Sequence, residues 1–329
     1  MYSPTKIQIV EIISKNGQIQ VKELVQILGL TQAAIHRSLN KLIDEQVLIK
    51  KGTPPKVFYF LNIEKQSTEA VAIPPEQKKI LQENYVYITP VGKIETGLEG
   101  FIGWMRSTRN MQKPDKCIAD YIEVLQEAQS HKNNAAHLID ATDRFNKIFP
   151  VNHLNRIFYH DFYSLIKFGK TKMGQYLLNG KQSQNKMIIK RISEIIAPDI
   201  KRLIKLENID AVAWTPHSIP RKIPFLKELE KNLNLVMPKI EIIKLYSGEI
   251  PIAQKSLSKL EERIQNARET MVVVPAKIAA KNILLIDDAV GSGATLNEIS
   301  AKLKFKGAKK IIGYAIVGSY KGFEVIKEV

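Results

Sequence analysis

Apolar positions recur at helical spacing from the start of the chain. Ile9, Ile12 and Ile13 fall on one face of a helix that starts near Pro4, a residue favoured in first turns, and Gly17 ends it. Val21–Leu28 (VKELVQIL) reads as a second, short helix broken by Gly29. Thr31 caps a third helix, on which Ile35, Leu39 and Leu42 form an apolar stripe. Two β runs follow, Val47–Lys50 and Val57–Leu61, joined by the basic loop KKGTPPK. The polar stretch from Asn62 to Pro75 (NIEKQSTEAVAIPP) reads as a linker. Asn84–Gly100 then alternates with a period of two on both sides of a Pro-Val-Gly turn, which predicts a β-hairpin. Phe101, Ile102, Trp104 and Met105 begin a helix, and residues 115–147 read as largely helical, with Ile118, Tyr121, Ile122 and Leu125 on one stripe. From about Phe158 helices and strands alternate, the mark of a parallel α/β sheet. The expected organisation is multidomain: a mostly helical unit over 1–64, a linker and mixed α+β middle region over 65–157, and an α/β domain over 158–329.

Composition narrows the class. The chain has 329 residues, 44% of them apolar and 25% charged, enough for two or three globular domains with real cores. No apolar run approaches the roughly 20 residues needed to cross a bilayer, and the N-terminus mixes charged with apolar residues in a way a signal peptide does not. A single cysteine, Cys117, excludes an internal disulfide and any multi-cysteine zinc site, and His131, His137, His153 and His160 lack the close spacing of a metal cluster. No metal site is expected from the protein alone, no membrane partner is expected, and the cytoplasm is the expected compartment. The balance of 49 Lys+Arg against 33 Asp+Glu gives +16, which favours polyanionic partners, nucleic acid first. Lysine-rich genomes raise surface lysine generally, so charge alone does not decide.

The third helix sharpens that expectation. Its outer face carries Gln32, Ala33, His36, Arg37, Asn40 and Lys41, and the basic β loop carries Lys50, Lys51 and Lys56. Helix, helix-turn-helix and basic β-ribbon in that order resemble a winged helix-turn-helix domain over nearly all of residues 3–62. The resemblance implies a third helix laid in the major groove of double-stranded DNA, with Gln, Asn and Arg facing base edges and the hairpin lysines facing phosphates. The same fold also serves as a dimerisation module.

The sharpest feature is Asn282–Glu298, NILLIDDAVGSGATLNE. Ile283–Ile286 is an apolar run suited to a strand buried on both faces, and it ends in adjacent carboxylates, Asp287 and Asp288. The small-residue loop Gly291-Ser292-Gly293-Ala294-Thr295 leads into a helix with Leu296, Ile299 and Leu303 as its apolar positions. Small residues let backbone N–H groups close around an anion, and the following helix adds its positive end. Carboxylates beside a phosphate repel it, so they grip sugar hydroxyls or a Mg²⁺ ion instead. A Walker A loop needs a lysine that Ala294-Thr295 lacks. A receiver domain needs about a hundred residues after its acidic pair, and too few follow Asp288. A purely structural strand-turn-helix explains neither the paired acids nor the paired glycines.

This stretch resembles the phosphoribosyl pyrophosphate (PRPP) signature of type I phosphoribosyltransferases. By that resemblance Asp287 and Asp288 bind the ribose hydroxyls, and the loop taking the 5′-phosphate falls on Ala289, Val290, Gly291, Ser292, Gly293, Ala294 and Thr295. Gln254, Leu257, Arg263 and Asn266 look like the Q-x-x-L…R-x-x-N flexible-loop stretch of ComF-like members. Ala211–Thr215 (AVAWT) reads as an early strand, and the family's pyrophosphate loop after it falls on Pro216, His217, Ser218, Arg221 and Lys222. Mg²⁺ is implied with PRPP. Two departures stand out: Gly291 occupies a position where many purine-salvage members carry a catalytic Asp, and ComF proteins commonly begin with a cysteine-rich zinc module that this chain lacks.

Three functions fit these readings. One is a DNA-binding regulator, acting as a homodimer, whose phosphoribosyltransferase-like domain senses PRPP or a nucleotide; the purine repressor of Gram-positive bacteria is built on this plan. The second is an active PRPP-dependent phosphoribosyltransferase. The third is a DNA-targeted effector of a phage-defence cassette.

Overall fold

The structure, a computed structural model, describes residues 4–62, 73–108, 113–217, 221–245, 252 and 256–320. It divides into two compact units, Met1–Ala72 and Ile73–Val329.

The first unit holds helices α1 (Pro4–Asn16), α2 (Val21–Leu28) and α3 (Gln32–Asp44), then strands β1 (Leu48–Thr53) and β2 (Lys56–Leu61). Gly29, left-handed at φ 64°, closes α2 by donating its N–H to the Val25 carbonyl, and the Thr31 hydroxyl accepts from Ala34 N–H to open α3. The strands pair antiparallel from Leu48 opposite Leu61 to Thr53 opposite Lys56, so the hairpin is longer at its tip than the apolar pattern alone predicts. Ile9, Ile13, Ile19, Leu24, Ile35, Leu39, Leu42, Leu48 and Tyr59 form one core, to which all three helices and the hairpin contribute. At about 1.5–3 kcal/mol for each large apolar side chain buried, this core is the main force holding the unit together.

The second unit opens with α4 (Pro75–Asn84), the short hairpin β3 (Val86–Ile88) and β4 (Ile94–Thr96), α5 (Gly97–Ser107) and α6 (Pro114–Ser130). The predicted hairpin is present, and its helix begins earlier than Phe101, directly after β4. Strand β5 (Ile139–Asp140), helix α7 (Thr142–Ile148) and strand β6 (Arg156–Phe162) follow, then β7 (Ser164–Leu165), β8 (Gly169–Lys170), α8 (Lys172–Ser183) and α9 (Lys186–Leu206). The remainder runs β9 (Ala211–Trp214), α10 (Phe225–Leu233), β10 (Lys239–Ile240), β11 (Ile242–Lys244), α11 (Leu260–Thr270), β12 (Met271–Val273), β13 (Asn282–Val290), α12 (Ala294–Phe305) and β14 (Lys310–Gly318). The stretch read from sequence as a middle region therefore shares one unit with the sheet, and its β5 forms the sheet's edge.

Six strands make the central sheet in the order β10-β9-β13-β14-β6-β5, parallel except for β5. Val212, Trp214, Leu284, Ile286, Ile312 and Tyr314 pack with α8, α9 and α10 in one large core. Alternate strand residues face the other way, and Ile283, Leu285, Ile311 and Ala315 are just as deeply buried. Burial on both faces is what a parallel sheet requires, and it explains the unbroken apolar run at Ile283–Ile286. The carboxyl ends of β9 and β13 lie side by side, which sets the residues after each of them in one crevice.

Candidate functional site

At the end of β13 the chain does not leave the sheet where the carboxylates begin. Asp287 pairs with Ala315, Ala289 with Val317 and Val290 with Gly318, so the strand runs on through the acid pair. The expected seven-residue phosphate loop is thereby corrected. Ala289 and Val290 are strand residues, Gly291, Ser292 and Gly293 form the turn, and Ala294 and Thr295 are the first residues of α12. The physical reason is β14, which extends alongside to Gly318 and offers backbone partners the whole way.

Gly293 makes this turn possible. It sits at φ 78°, and a Cβ there would come within 2.4 Å of the buried Phe145 ring from α7. Gly293 has no side chain to cap α12, and of the helix's leading N–H groups that of Ala294 donates to Ser292 Oγ at 3.5 Å. Such a corner is suited to an anion.

The two carboxylates are held differently. Thr215, buried at the end of β9, donates its hydroxyl to Asp287 Oδ1 at 2.7 Å, and the Asp288 N–H donates to the same oxygen at 2.8 Å. Burial, and then the charge of Asp288 beside it, push the Asp287 carboxyl up to about 7. Asp288 Oδ2 accepts from Lys181 Nζ of α8 at 2.8 Å. Asp287 Oδ2 and Asp288 Oδ1 have no hydrogen-bond partner among the described residues. Each acid therefore keeps one open acceptor among the described residues.

Mg²⁺ usually keeps several waters and takes one or two carboxylates beside a ligand's phosphates, and half of the carboxylate oxygens of this pair are already engaged. One acid oxygen here is committed to an ammonium and another to two N–H and O–H donors. No group of three or more His, Cys, Asp or Glu side chains is placed to hold a metal among the described residues.

The segment after β9 places its expected residues unevenly. Pro216 and His217 are half-buried and border a cleft of about 310 Å³ that Trp214, Lys227 and Lys244 also line. Burial, and then the charge of Lys227, lower the His217 pKa. Arg221 turns toward α8 and donates to the Lys181 carbonyl, while Lys222 faces solvent. Ser218 lies outside the described residues, as does Gln254.

Arg263 and Asn266, expected on a flexible loop, stand instead on α11, where Arg263, Ala267 and Thr270 form a buried stripe. Spacing of four and three residues along one helix face is the reason. Arg263 reaches the turn before α12: its Nε donates to the Leu257 carbonyl at 2.8 Å and its Nη1 lies 3.5 Å from Ser292 Oγ. Burial lowers its pKa. Lys181 and Thr215 are the site residues that sequence reasoning did not single out. Thr215 ends the recognisable strand AVAWT, and no local pattern marks Lys181.

In the first unit, Gln32, Ala33, Arg37, Asn40 and Lys41 are exposed on α3 and His36 is partly so. Lys50, Lys51 and Lys56 are exposed around the hairpin tip, with the Lys51 ammonium 5.3 Å from the Phe60 ring centre. The predicted set thus lies at the surface of this unit, with His36 the least exposed of it.

Residues 3–49 match the family model described as winged helix-turn-helix DNA-binding. No match was found among curated proteins. Among solved structures, the chain is similar to a hypoxanthine-guanine phosphoribosyltransferase from Bacillus anthracis, at 14% identity over 42% of this chain and 71% of that one, with a TM-score of 0.27. It is also similar to a purine phosphoribosyltransferase from Pyrococcus horikoshii, at 17% identity over 40% and 82% and a TM-score of 0.25. A third is a hypoxanthine phosphoribosyltransferase from Trypanosoma cruzi, solved with the product IMP, at 12% identity over 42% and 69% and a TM-score of 0.28. The N-terminal unit is a winged helix-turn-helix domain, and the rest of the chain is built on a mostly parallel α/β sheet. Among the described residues no helix is long and apolar enough to cross a membrane.

Proposed function

We propose that this protein is a DNA-binding regulator whose second unit binds PRPP or a nucleotide and whose DNA affinity responds to that ligand. The observation that carries the reading is the corner between β13 and α12, where two open carboxylate oxygens adjoin a turn of small and hydroxyl residues at a helix start. A phosphate in the turn sets a ribose over the acids, so a phosphorylated sugar uses both halves at once. The ComF-like stretch ending in Arg263 and Asn266 supports the same ligand class, since Arg263 adjoins Ser292. Arg221 and Lys222 are the basic groups proposed for the pyrophosphate, and Mg²⁺ is expected to arrive on the ligand's own phosphates. The exposed face of α3 and the hairpin lysines support double-stranded DNA as the partner in the first unit, bound as a homodimer on a two-fold site in the cytoplasm.

A ligand regulates only if it binds the DNA-competent and incompetent states with different free energies. The test therefore measures affinity for a duplex selected from a random library, with and without PRPP, alongside pyrophosphate release in the presence of a panel of bases and amines. A DNA affinity that shifts with PRPP and no turnover supports the regulator. Turnover supports the phosphoribosyltransferase instead. Arg37→Ala weakens DNA binding and spares PRPP, while Asp287→Asn with Asp288→Asn does the reverse. A chain that shows no turnover and whose DNA affinity is indifferent both to PRPP and to a panel of nucleotides would sink the reading.

A further inference from the structure

Three contacts fix the position of Lys181, in the last turn of α8. Its Nζ lies 2.8 Å from Asp288 Oδ2, with side-chain exposures of 15% and 17%. The Arg221 guanidinium donates to its carbonyl oxygen. Gln184, which caps the same helix, accepts the Ile223 N–H at 2.7 Å. The start of α8 is equally constrained, because a Cβ at Gly174 would lie 2.0 Å from the Tyr163 carbonyl oxygen. The ammonium thus meets Asp288, while the backbone of its helix end is tied to the segment that follows β9.

A lysine ammonium has three donors. Asp288 takes one, and no other acceptor meets Nζ among the described residues. An ion pair that only neutralises a half-buried acid needs no further acceptor. This one adjoins the open oxygens Asp287 Oδ2 and Asp288 Oδ1, and its backbone is tied to the segment carrying Arg221. A divalent cation at such a site has two tasks: to cancel acid charge so that a polyanion can approach, and to bridge the acids to the ligand's oxygens. Lys181 is placed for both.

We propose that Lys181 is a ligand-binding residue standing in for a divalent cation: its ammonium neutralises Asp288 and donates its remaining N–H groups to an anionic oxygen of the ligand, so that a sugar phosphate bearing pyrophosphate binds without Mg²⁺. The proposal rests on the reading of this corner as a ribose-phosphate site.

Isothermal titration of the full chain with PRPP and with ribose 5-phosphate, each in EDTA and in Mg²⁺, tests it. The unaltered chain binds PRPP with affinities within about threefold in the two conditions. Lys181→Gln loses about 10- to 100-fold in EDTA, the cost of one charge-assisted contact, and recovers most of it in Mg²⁺. Lys181→Arg, which keeps the charge, falls between the two. Ribose 5-phosphate, with no pyrophosphate, is less affected by either change. Binding of PRPP that requires Mg²⁺ in the unaltered chain overturns the proposal, as does a Lys181→Gln chain that binds as tightly as the unaltered one in EDTA. Even if the variants fail to fold, a Mg²⁺ requirement in the unaltered chain overturns the proposal. If ribose 5-phosphate binds and PRPP needs Mg²⁺, only the role of Lys181 is lost. If neither ligand binds in either condition, the ribose-phosphate reading falls and this proposal with it.

Discussion

A carboxyl raised to about 7 in the folded chain, from an ordinary 3.8, weakens that chain as the solution becomes basic. Between those two values folded Asp287 keeps a proton that the unfolded chain has released, so stability falls as pH rises through the window and the penalty is complete above it. Asp287→Asn removes the charge while its amide oxygen still accepts from Thr215 and the Asp288 N–H. The variant is therefore expected to melt above the unaltered chain at pH 8, with the gap closing toward pH 4, while losing PRPP binding. Melting curves across that range check it, and equal midpoints at pH 8 would contradict the burial argument. At this scale the sequence is legible where partners are neighbours. Asp287, Asp288, Ser292 and Thr295 fall within one short stretch and announce a sugar phosphate together. Thr215 and Lys181 reach the same acids from 72 and 107 residues away, and a lysine among 49 basic residues carries no mark of its own.

Elements follow local pattern until tertiary packing overrides it. Pro198 is a break signal in any helix, yet α9 runs through it from Lys186 to Leu206. The helix persists because Ile189, Ile192, Ile196, Ile200 and Leu203 bury one continuous face against the sheet. Pro198 itself is exposed and leaves the Glu194 carbonyl without its helical partner. Replacing it with alanine restores that bond. Against a gain of about 3 kcal/mol for proline to alanine in a helix interior stands about 0.4–1 kcal/mol lost through a freer unfolded chain. Pro198→Ala is expected to stabilise the second unit by about 2 kcal/mol, read as a higher urea midpoint with unchanged PRPP affinity. A lower midpoint would mean that the proline ring packs in a way the helix needs. The β13 boundary misleads for the converse reason. Charged residues look like a strand end, but β14 supplies backbone partners to Val290. Arg263 and Asn266 sit on a helix that the spacing of Leu260, Ile264 and Ala267 already marks; only the family resemblance put them on a loop.

The excess of +16 is a property of the whole chain, and most of it lies outside the first 72 residues. Net charge therefore does not by itself place DNA on the winged helix-turn-helix unit; salt dependence does. Each phosphate contact made by a lysine contributes about 0.9 to the slope of log affinity against log salt. If Lys50, Lys51 and Lys56 each meet a phosphate, replacing all three with alanine lowers that slope by about 3 and weakens binding to every duplex alike. Arg37→Ala, on α3, is expected to lower affinity chiefly for the preferred duplex, because a base-edge contact carries specificity and a phosphate contact does not. Titrations of both variants against preferred and scrambled duplexes at several salt concentrations separate the two effects. A slope untouched by the three lysine replacements would move the polyanion contact to the more strongly basic second unit, and the first unit would then serve in pairing two copies of the chain.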